Sequence, residues 1–219
     1  MLNKILCKPN KERLKESLLF DFCDYCNQPQ SMEALYDWSL RDNHIFWSKV
    51  WDYFKIIGTK GIINPIKASN SFETFIGTKF FPEAKLNFAK NLLRASCNIE
   101  SYDKTAIEFF LEDSQKEKIT YQQLASEVLK VRKILLSIGI KPNDVIAAFI
   151  PNCPLAIIGM LATSSIGAIW TSCSPDFGSQ GIIDRFEQTE PKILFTVDGY
   201  YYKRKFIDIR DKVNEAITK

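Results

Sequence analysis

The chain has 219 residues, of which 46% are hydrophobic, 13% aromatic and 25% charged. That is the composition of a folded globular body and excludes a fibrous or disordered chain. Lys and Arg number 29 against 26 Asp and Glu, a formal charge of +3 with the two signs interleaved, so no basic stripe offers itself to nucleic acid.

The N-terminal segment carries Lys4, Lys8, Lys11, Arg13 and Lys15 around a short apolar Ile5-Leu6-Cys7, which does not fit a signal peptide. Apolar residues then recur at helical spacing. Lys11 to Cys26 places Leu14, Leu18, Leu19, Phe22 and Cys26 on one face. Ser31 precedes a second helix through Leu35, Tyr36 and Trp38. Asn43 stands as the cap of a third through Phe46, Trp47, Val50, Trp51 and Phe54. Residues 56 to 80 hold Gly58, Gly61, Pro65, Asn70 and Gly77 without sustained periodicity and read as loop with a short strand. Residues 1–100 are therefore expected to form a helical N-terminal extension.

From residue 101 onward the grammar changes. Ala106 to Leu111 and then Ile119 read as strand. Thr120 and Gln123 form a capping box for a helix through Leu124, Val128, Leu129, Leu135 and Ile138 that Gly139 stops. Pro142-Asn143-Asp144 predicts a turn, Val145 to Ile150 a buried strand, Leu155 to Ile166 a buried helix and Ala168 to Thr171 a second strand. Ser179 is expected to cap a helix through Ile182, Ile183 and Phe186, before a third strand at Lys192 to Val197 and an amphipathic helix at Phe206 to Thr218. This β-α-β-α-β run predicts an α/β fold with a parallel sheet and right-handed crossovers. From Val145 to Pro175 no residue is charged, but Pro151-Asn152-Cys153-Pro154 and Thr163-Ser164-Ser165 divide the stretch into pieces too short for a membrane helix. Three strands followed by a helix at Lys219 leave an open sheet, and the sequence is expected to be a fragment of a larger domain.

The chemistry-bearing residues are few. Neither GxGxxG nor GxxxxGK[ST] nor GxSxG occurs. The single histidine, His44, lies among Ile45, Phe46 and Trp47 and reads as structural. Glu112 and Asp113 read as a solvated turn. Six scattered cysteines suit the reduced thiols of a cytoplasmic protein, and Cys23 with Cys26 reads as a helix face, because zinc would need a second pair or a nearby histidine. Lys203-Arg204-Lys205 follows Tyr200-Tyr201-Tyr202 just after the third strand, where either a solvated loop or a contact to a phosphate-bearing ligand is compatible with the pattern.

Ile150-Pro151-Asn152-Cys153-Pro154, the stretch Met160 to Trp170, and above all Ser174-Pro175-Asp176-Phe177-Gly178 closely resemble the acetoacetyl-CoA synthetases of the adenylate-forming superfamily. Asp184 to Phe195 with Val197 to Tyr200 extends the likeness, and His44 to Trp47, Val50-Trp51 and Phe81 to Ala89 resemble the N-terminal region shared with acetyl-CoA synthetases. The resemblance runs from about residue 30 to 219. It implies that residues 101–219 are the beginning of an AMP-binding large domain and that the chain is the N-terminal portion of an acetoacetate-CoA ligase. Such a ligase joins acetoacetate and CoA at the expense of ATP, with Mg2+ to offset phosphate charge. The family's phosphate loop, ribose-binding aspartate, hinge and catalytic lysine come later than these residues, so no catalytic residue is expected here and the chain should be inactive alone. The resemblance places Lys205, Arg204 and Lys203 against the phosphates of CoA. It also differs locally, with Arg204 where a glycine is usual and Phe80 where a tryptophan is usual. Asp176 is expected in a turn and Phe177 packed. Two further readings stay open: a complementation module pairing with a separately encoded C-terminal segment, or a decayed gene product.

Overall fold

A computed structural model describes residues 7–62, 66–67, 77–110 and 116–218, which divide into two compact units, 1–86 and 87–219. Glu112 and Asp113 lie outside the described residues.

The first unit is helical: α1 (Lys11–Lys15), α2 (Leu18–Tyr25), α3 (Met32–Arg41) and α4 (Asn43–Tyr53). The single periodic stretch read over 11–26 is two helices. Ser17 ends one and starts the next, its hydroxyl donating to Leu14 O at 2.6 Å and accepting from Phe20 N at 3.3 Å, because a serine at that position competes with the helix backbone. Ser31 caps α3 as its position predicts, whereas α4 takes Asp42 as its N-cap, without a side-chain bond, and Asn43 is its first residue. The helices bury Phe22, Cys23, Cys26, Leu35 and Trp38 against Phe46, Val50 and Tyr53. Ring pairs hold this core edge to face, Phe22 with Phe46 at 5.9 Å and Trp38 with Phe46 at 5.5 Å. Burial pushes the Cys23 and Cys26 thiols up, so both are core residues kept protonated. Two short antiparallel pairs complete the unit, β1 (Gly58–Thr59) with β4 (Lys85–Leu86) and β2 (Ile66–Lys67) with β3 (Lys79–Phe80).

The second unit opens with α5 (Phe88–Leu92), a 3-10 turn at Leu93–Cys97 and the antiparallel hairpin β5 (Thr105–Phe110) with β6 (Lys116–Thr120). The capping box forms as read: Thr120 Oγ1 accepts from Gln123 N at 3.2 Å and Gln123 Oε1 accepts from Thr120 N at 2.8 Å, launching α6 (Tyr121–Ser137). Gly139, at φ +88°, ends that helix in a conformation a side chain would resist. Next come β7 (Val145–Phe149), α7 (Pro154–Ile166), β8 (Ile169–Cys173), α8 (Ser179–Glu187) and β9 (Ile193–Thr196). The strands form a parallel sheet in the order β8-β7-β9. Gly178 rather than Ser179 is the N-cap of α8, which therefore lacks a side-chain cap.

Strand alternation sorts the core into two layers. Ile146 faces a layer built from Leu124, Val128 and Leu135 of α6 and Ile158, Leu161 and Ala162 of α7. Ala147 and Phe149 face the opposite layer, with Ile182 and Phe186 of α8 and Ile209. The central strand is covered on both sides, which is why its sequence lacks any polar alternation. Among the described residues no helix is long and apolar enough to cross a membrane.

Asp144 ties the turn before β7 to the turn before β9. Its carboxylate accepts from Lys141 N at 2.8 Å and pairs with Lys192 Nζ at 2.6 Å. The Lys192 bond first, and the Lys141 amide second, hold the carboxyl below its usual range. A depressed folded-state value means the contribution is complete above the unfolded carboxyl value of about 3.9 and is lost as pH falls below it. Urea melts at pH 7 and pH 3 should show the wild type losing more stability on acidification than Asp144→Asn; parallel losses in both would refute this.

Candidate functional site

In an open parallel sheet, ligands collect beyond the carboxyl ends of the strands. Three segments leave that edge: Ile150 to Cys153 after β7, Ser174 to Gly178 after β8, and the chain after Thr196. The Ser174-Gly178 segment is clamped from several sides. Phe177 N donates to Ser174 O at 3.2 Å, placing Asp176 in a turn. Tyr200 Oη donates to Asp176 Oδ1 at 3.3 Å, and Lys212 Nζ donates to Pro175 O and Phe177 O, both at 3.4 Å. The Arg185 guanidinium lies 4.5 Å from the Phe177 ring centroid. Burial, then the Asp176 charge, raises the Tyr200 hydroxyl, which stays protonated and donating. Asp176 and Phe177 thus fix the loop, as their turn-and-packing assignment implies.

The stretch after β9 differs from the sequence reading. Phe206 to Thr218 is not one helix: β10 (Gly199–Tyr202) and β11 (Lys205–Asp208) make a hairpin, and only then does α9 (Arg210–Thr218) begin. Tyr200 faces Ile207, and Tyr201 faces Phe206 with ring centroids 5.5 Å apart, cross-strand pairs that favour a ribbon over a helical turn. Gly199 admits the Phe206 ring, since a Cβ there would stand 2.4 Å from Phe206 Cζ and 2.5 Å from Ile207 O. The turn itself is Lys203-Arg204, at φ +49° and +62°, the left-handed pair of a type I′ turn. Nothing in a Lys-Arg dipeptide announces such a turn, which is why the pattern hid it.

The hairpin brings Lys203, Arg204 and Lys205 together at one solvent-exposed tip, beside exposed Tyr201, Tyr202 and Phe206. Lys203 Nζ lies 5.2 Å from the Tyr202 ring centroid. The root is rigid. Ile209 is fully buried and its N–H donates to Asp198 O at 3.0 Å. Arg210 Nε bonds both Asp208 oxygens, at 3.0 and 2.9 Å, and holds that carboxyl down at about 2. A recess of ≈ 320 Å³ lies beside the root, lined by Thr196, Val197, Asp198, Arg210, Val213 and Asn214. The sequence reading missed this anchoring by Asp208, Ile209 and Arg210; its only signal was the acidic-apolar-basic order at the head of α9. Among the described residues no three His, Cys, Asp or Glu side chains gather into a metal site, and His44 is exposed on α4, in the other unit. The tip can therefore hold an anion through charge-assisted bonds, while nothing described gathers ligands for Mg2+.

Arg204 carries a side chain in the left-handed region at a cost of about 1 to 2 kcal/mol. Arg204→Gly is expected to raise stability by about 1 kcal/mol in urea melts, and Arg204→Ala, which keeps a Cβ, should give little of that gain. Equal effects of the two would contradict the turn assignment.

Residues 93–218 match the AMP-binding enzyme family, and the chain belongs to it. Within that family the likeness is to synthetases that make acyl-CoA thioesters. The acetoacetyl-coenzyme A synthetase of Rhizobium meliloti (strain 1021) is 39% identical over 96% of this chain and 32% of its own length. The malonamoyl-CoA synthetase vrtB of Penicillium aethiopicum is 32% identical over 86% of this chain and 26% of its own. The solved acetoacetyl-CoA synthetase from Streptomyces lividans superposes with a TM-score of 0.87 at 32% identity, covering 95% of this chain and 32% of that one. The chain thus spans about a third of the length of these relatives.

Proposed function

We propose that the chain is the N-terminal portion of an ATP-dependent acetoacetate-CoA ligase, with residues 1–100 its N-terminal extension and 101–219 the start of its AMP-binding domain. The observation that supports this most is the 39% identity to an acetoacetyl-CoA synthetase along 96% of the chain. The complete reaction has two steps. The acetoacetate carboxylate attacks the α-phosphorus of ATP and expels diphosphate, and the CoA thiol then attacks the acyl carbon and expels AMP. The first step converts a carboxylate, a poor electrophile, into an anhydride whose leaving group is stable. Mg2+ supplies charge neutralisation to the triphosphate in such chemistry.

The role of this chain's own residues is binding and support. Lys203, Arg204 and Lys205 at the hairpin tip bind the phosphates of CoA, and the rigid Asp208-Arg210 root sets where that tip stands. The Ser174-Gly178 turn, clamped by Tyr200 and Lys212, fixes the adjoining loop. No residue of the chain is assigned to the chemical steps. The acyl group is set elsewhere, a reading supported by this one segment being similar to synthetases of both acetoacetyl-CoA and malonamoyl-CoA.

The test is a graft. Replacing the matching segment of the Streptomyces lividans enzyme by this chain should give a folded protein that forms acetoacetyl-CoA from acetoacetate, ATP and CoA. A chimera that melts cooperatively yet makes no thioester would overturn the proposal.

A further inference from the structure

We infer that Tyr200 and Asp176 are positioning residues for the coenzyme: their hydrogen bond ties the cationic hairpin tip to the turn after β8, so that the edge of the parallel sheet sets where the tip stands. The inference rests on the CoA reading of the tip given above and adds to it the pair that aims the tip.

A ribbon of two four-residue strands does not hold a direction by itself. Among the described residues β10 and β11 pair only with each other. The root contacts, Asp198 O with Ile209 N and Asp208 with Arg210, sit at one end of the ribbon and leave it able to pivot there. At about 3.3 Å per residue, Tyr200 stands about 7 Å along the strand from Asp198 and Lys203 about 17 Å. A tilt that moves Tyr200 by about 1 Å therefore carries the tip by more than about 2 Å, enough to break a hydrogen bond to a phosphate oxygen.

Strand alternation gives the ribbon two faces. Tyr201 and Phe206 are exposed, whereas the cross-strand pair Tyr200 and Ile207 packs on the Phe149 layer. The Tyr200 ring thus meets apolar side chains while its hydroxyl donates to Asp176 Oδ1 at 3.3 Å. The acceptor is itself fixed. Pro175, one residue before it, is fully buried, and Phe177, one residue after it, lies under the Arg185 guanidinium. Lys212 Nζ donates to the carbonyls of both neighbours, Pro175 O and Phe177 O. The bond at 3.3 Å is long for a hydroxyl on a carboxylate, so it contributes to the direction of the ribbon more than to stability. Asp176 is negative, and a purely electrostatic effect of its charge on a bound phosphate would be unfavourable. A positional role is favourable, so the two predict opposite signs.

The test uses the 219-residue chain with CoA as the probe. Tyr200→Phe, Asp176→Ala and the two combined should each weaken CoA binding, followed by calorimetry, by the same factor of about three to ten, because one bond is lost in all three. Asp176→Asn keeps an acceptor for the Tyr200 hydroxyl and should stay within about twofold of wild type. Hydrogen exchange without CoA should quicken by a similar factor at residues 199–208 in the first three variants and stay unchanged in β7. The inference is overturned if Tyr200→Phe binds CoA as wild type does while the triple change Lys203→Ala, Arg204→Ala, Lys205→Ala weakens binding. It is equally overturned if the factors of Tyr200→Phe and Asp176→Ala multiply in the double variant, or if Asp176→Ala tightens binding, the sign of a charge effect. The coenzyme reading fails separately, if the triple change leaves binding unaltered or if the wild-type chain ignores CoA at about 1 mM. In that case quickened exchange in Tyr200→Phe and Asp176→Ala would uphold the tie between hairpin and turn, and unchanged exchange would overturn that too.

Discussion

Phe149→Ala is expected to remove about 3 to 5 kcal/mol of stability in urea melts followed by fluorescence and circular dichroism. Phe149 ends the central strand, is fully buried, and packs with Cys173, Ile182, Phe186 and Ile209. Its neighbours come from the strand β8, the helix α8 and the root of the hairpin, so they cannot collapse together into the cavity that alanine leaves. The cost should thus include both the lost transfer of the ring and the unfilled space. Because Ile209 anchors the hairpin root, faster exchange at Gly199 to Asp208 should accompany the loss. Phe110→Ala, at a ring 58% exposed on β5, is the control and should cost no more than about 0.5 kcal/mol. Similar costs at the two positions would contradict the two-layer core.

The second large effect concerns the hairpin tip. In the Streptomyces lividans chimera, the triple change Lys203→Ala, Arg204→Ala, Lys205→Ala is expected to raise KM for CoA by about 10- to 100-fold, the range of one to two charge-assisted bonds lost. The value sits at the low end of what three cations could give because all three are exposed and screened by water. Two readouts separate phosphate binding from a merely structural role. The ratio of variant to wild type should shrink at high ionic strength, and with pantetheine, which has no phosphates, it should approach one. A KM penalty that persists undiminished with pantetheine would sink the assignment of these residues to CoA.

The parts of the fold that were legible in the sequence are those where one signal dominates. The uncharged run from Val145 to Pro175, cut by Pro151, Pro154 and the 163–165 polar triplet, favours buried strands around a buried helix over a membrane span, and β7, α7 and β8 are that arrangement. Thr120 with Gln123 marks the start of α6 because a capping box satisfies two orphan amides at once. Elsewhere two signals compete. Lys11 to Cys26 keeps a helical stripe straight through Ser17, and the local hydroxyl bonds of that serine break the helix without disturbing the stripe. In Phe206 to Thr218, Phe206, Ile207 and Ile209 suit either period. The choice is made by partners five, seven and eleven residues back, Tyr201 and Tyr200 across the ribbon and Asp198 at its root. Tertiary contact overrides local pattern there.

The candidate site was legible in composition but not in geometry. Three consecutive cations after an aromatic triplet suggest an anion contact, yet only the left-handed turn at Lys203-Arg204 explains how they share one tip. Arg204 occupies a backbone region that glycine enters without cost.

The most direct test of the central claim is acetoacetate-dependent diphosphate release by this chain alone and with the rest of a related synthetase added. The chain alone, with ATP, Mg2+ and acetoacetate, is predicted to release none above the acid-free background. Addition of the complementary portion of the Streptomyces lividans enzyme should restore release, with acetoacetyl-CoA formed once CoA is present. Release by the purified chain on its own would contradict the account, since it would place the adenylating groups among residues assigned here to scaffold and coenzyme binding.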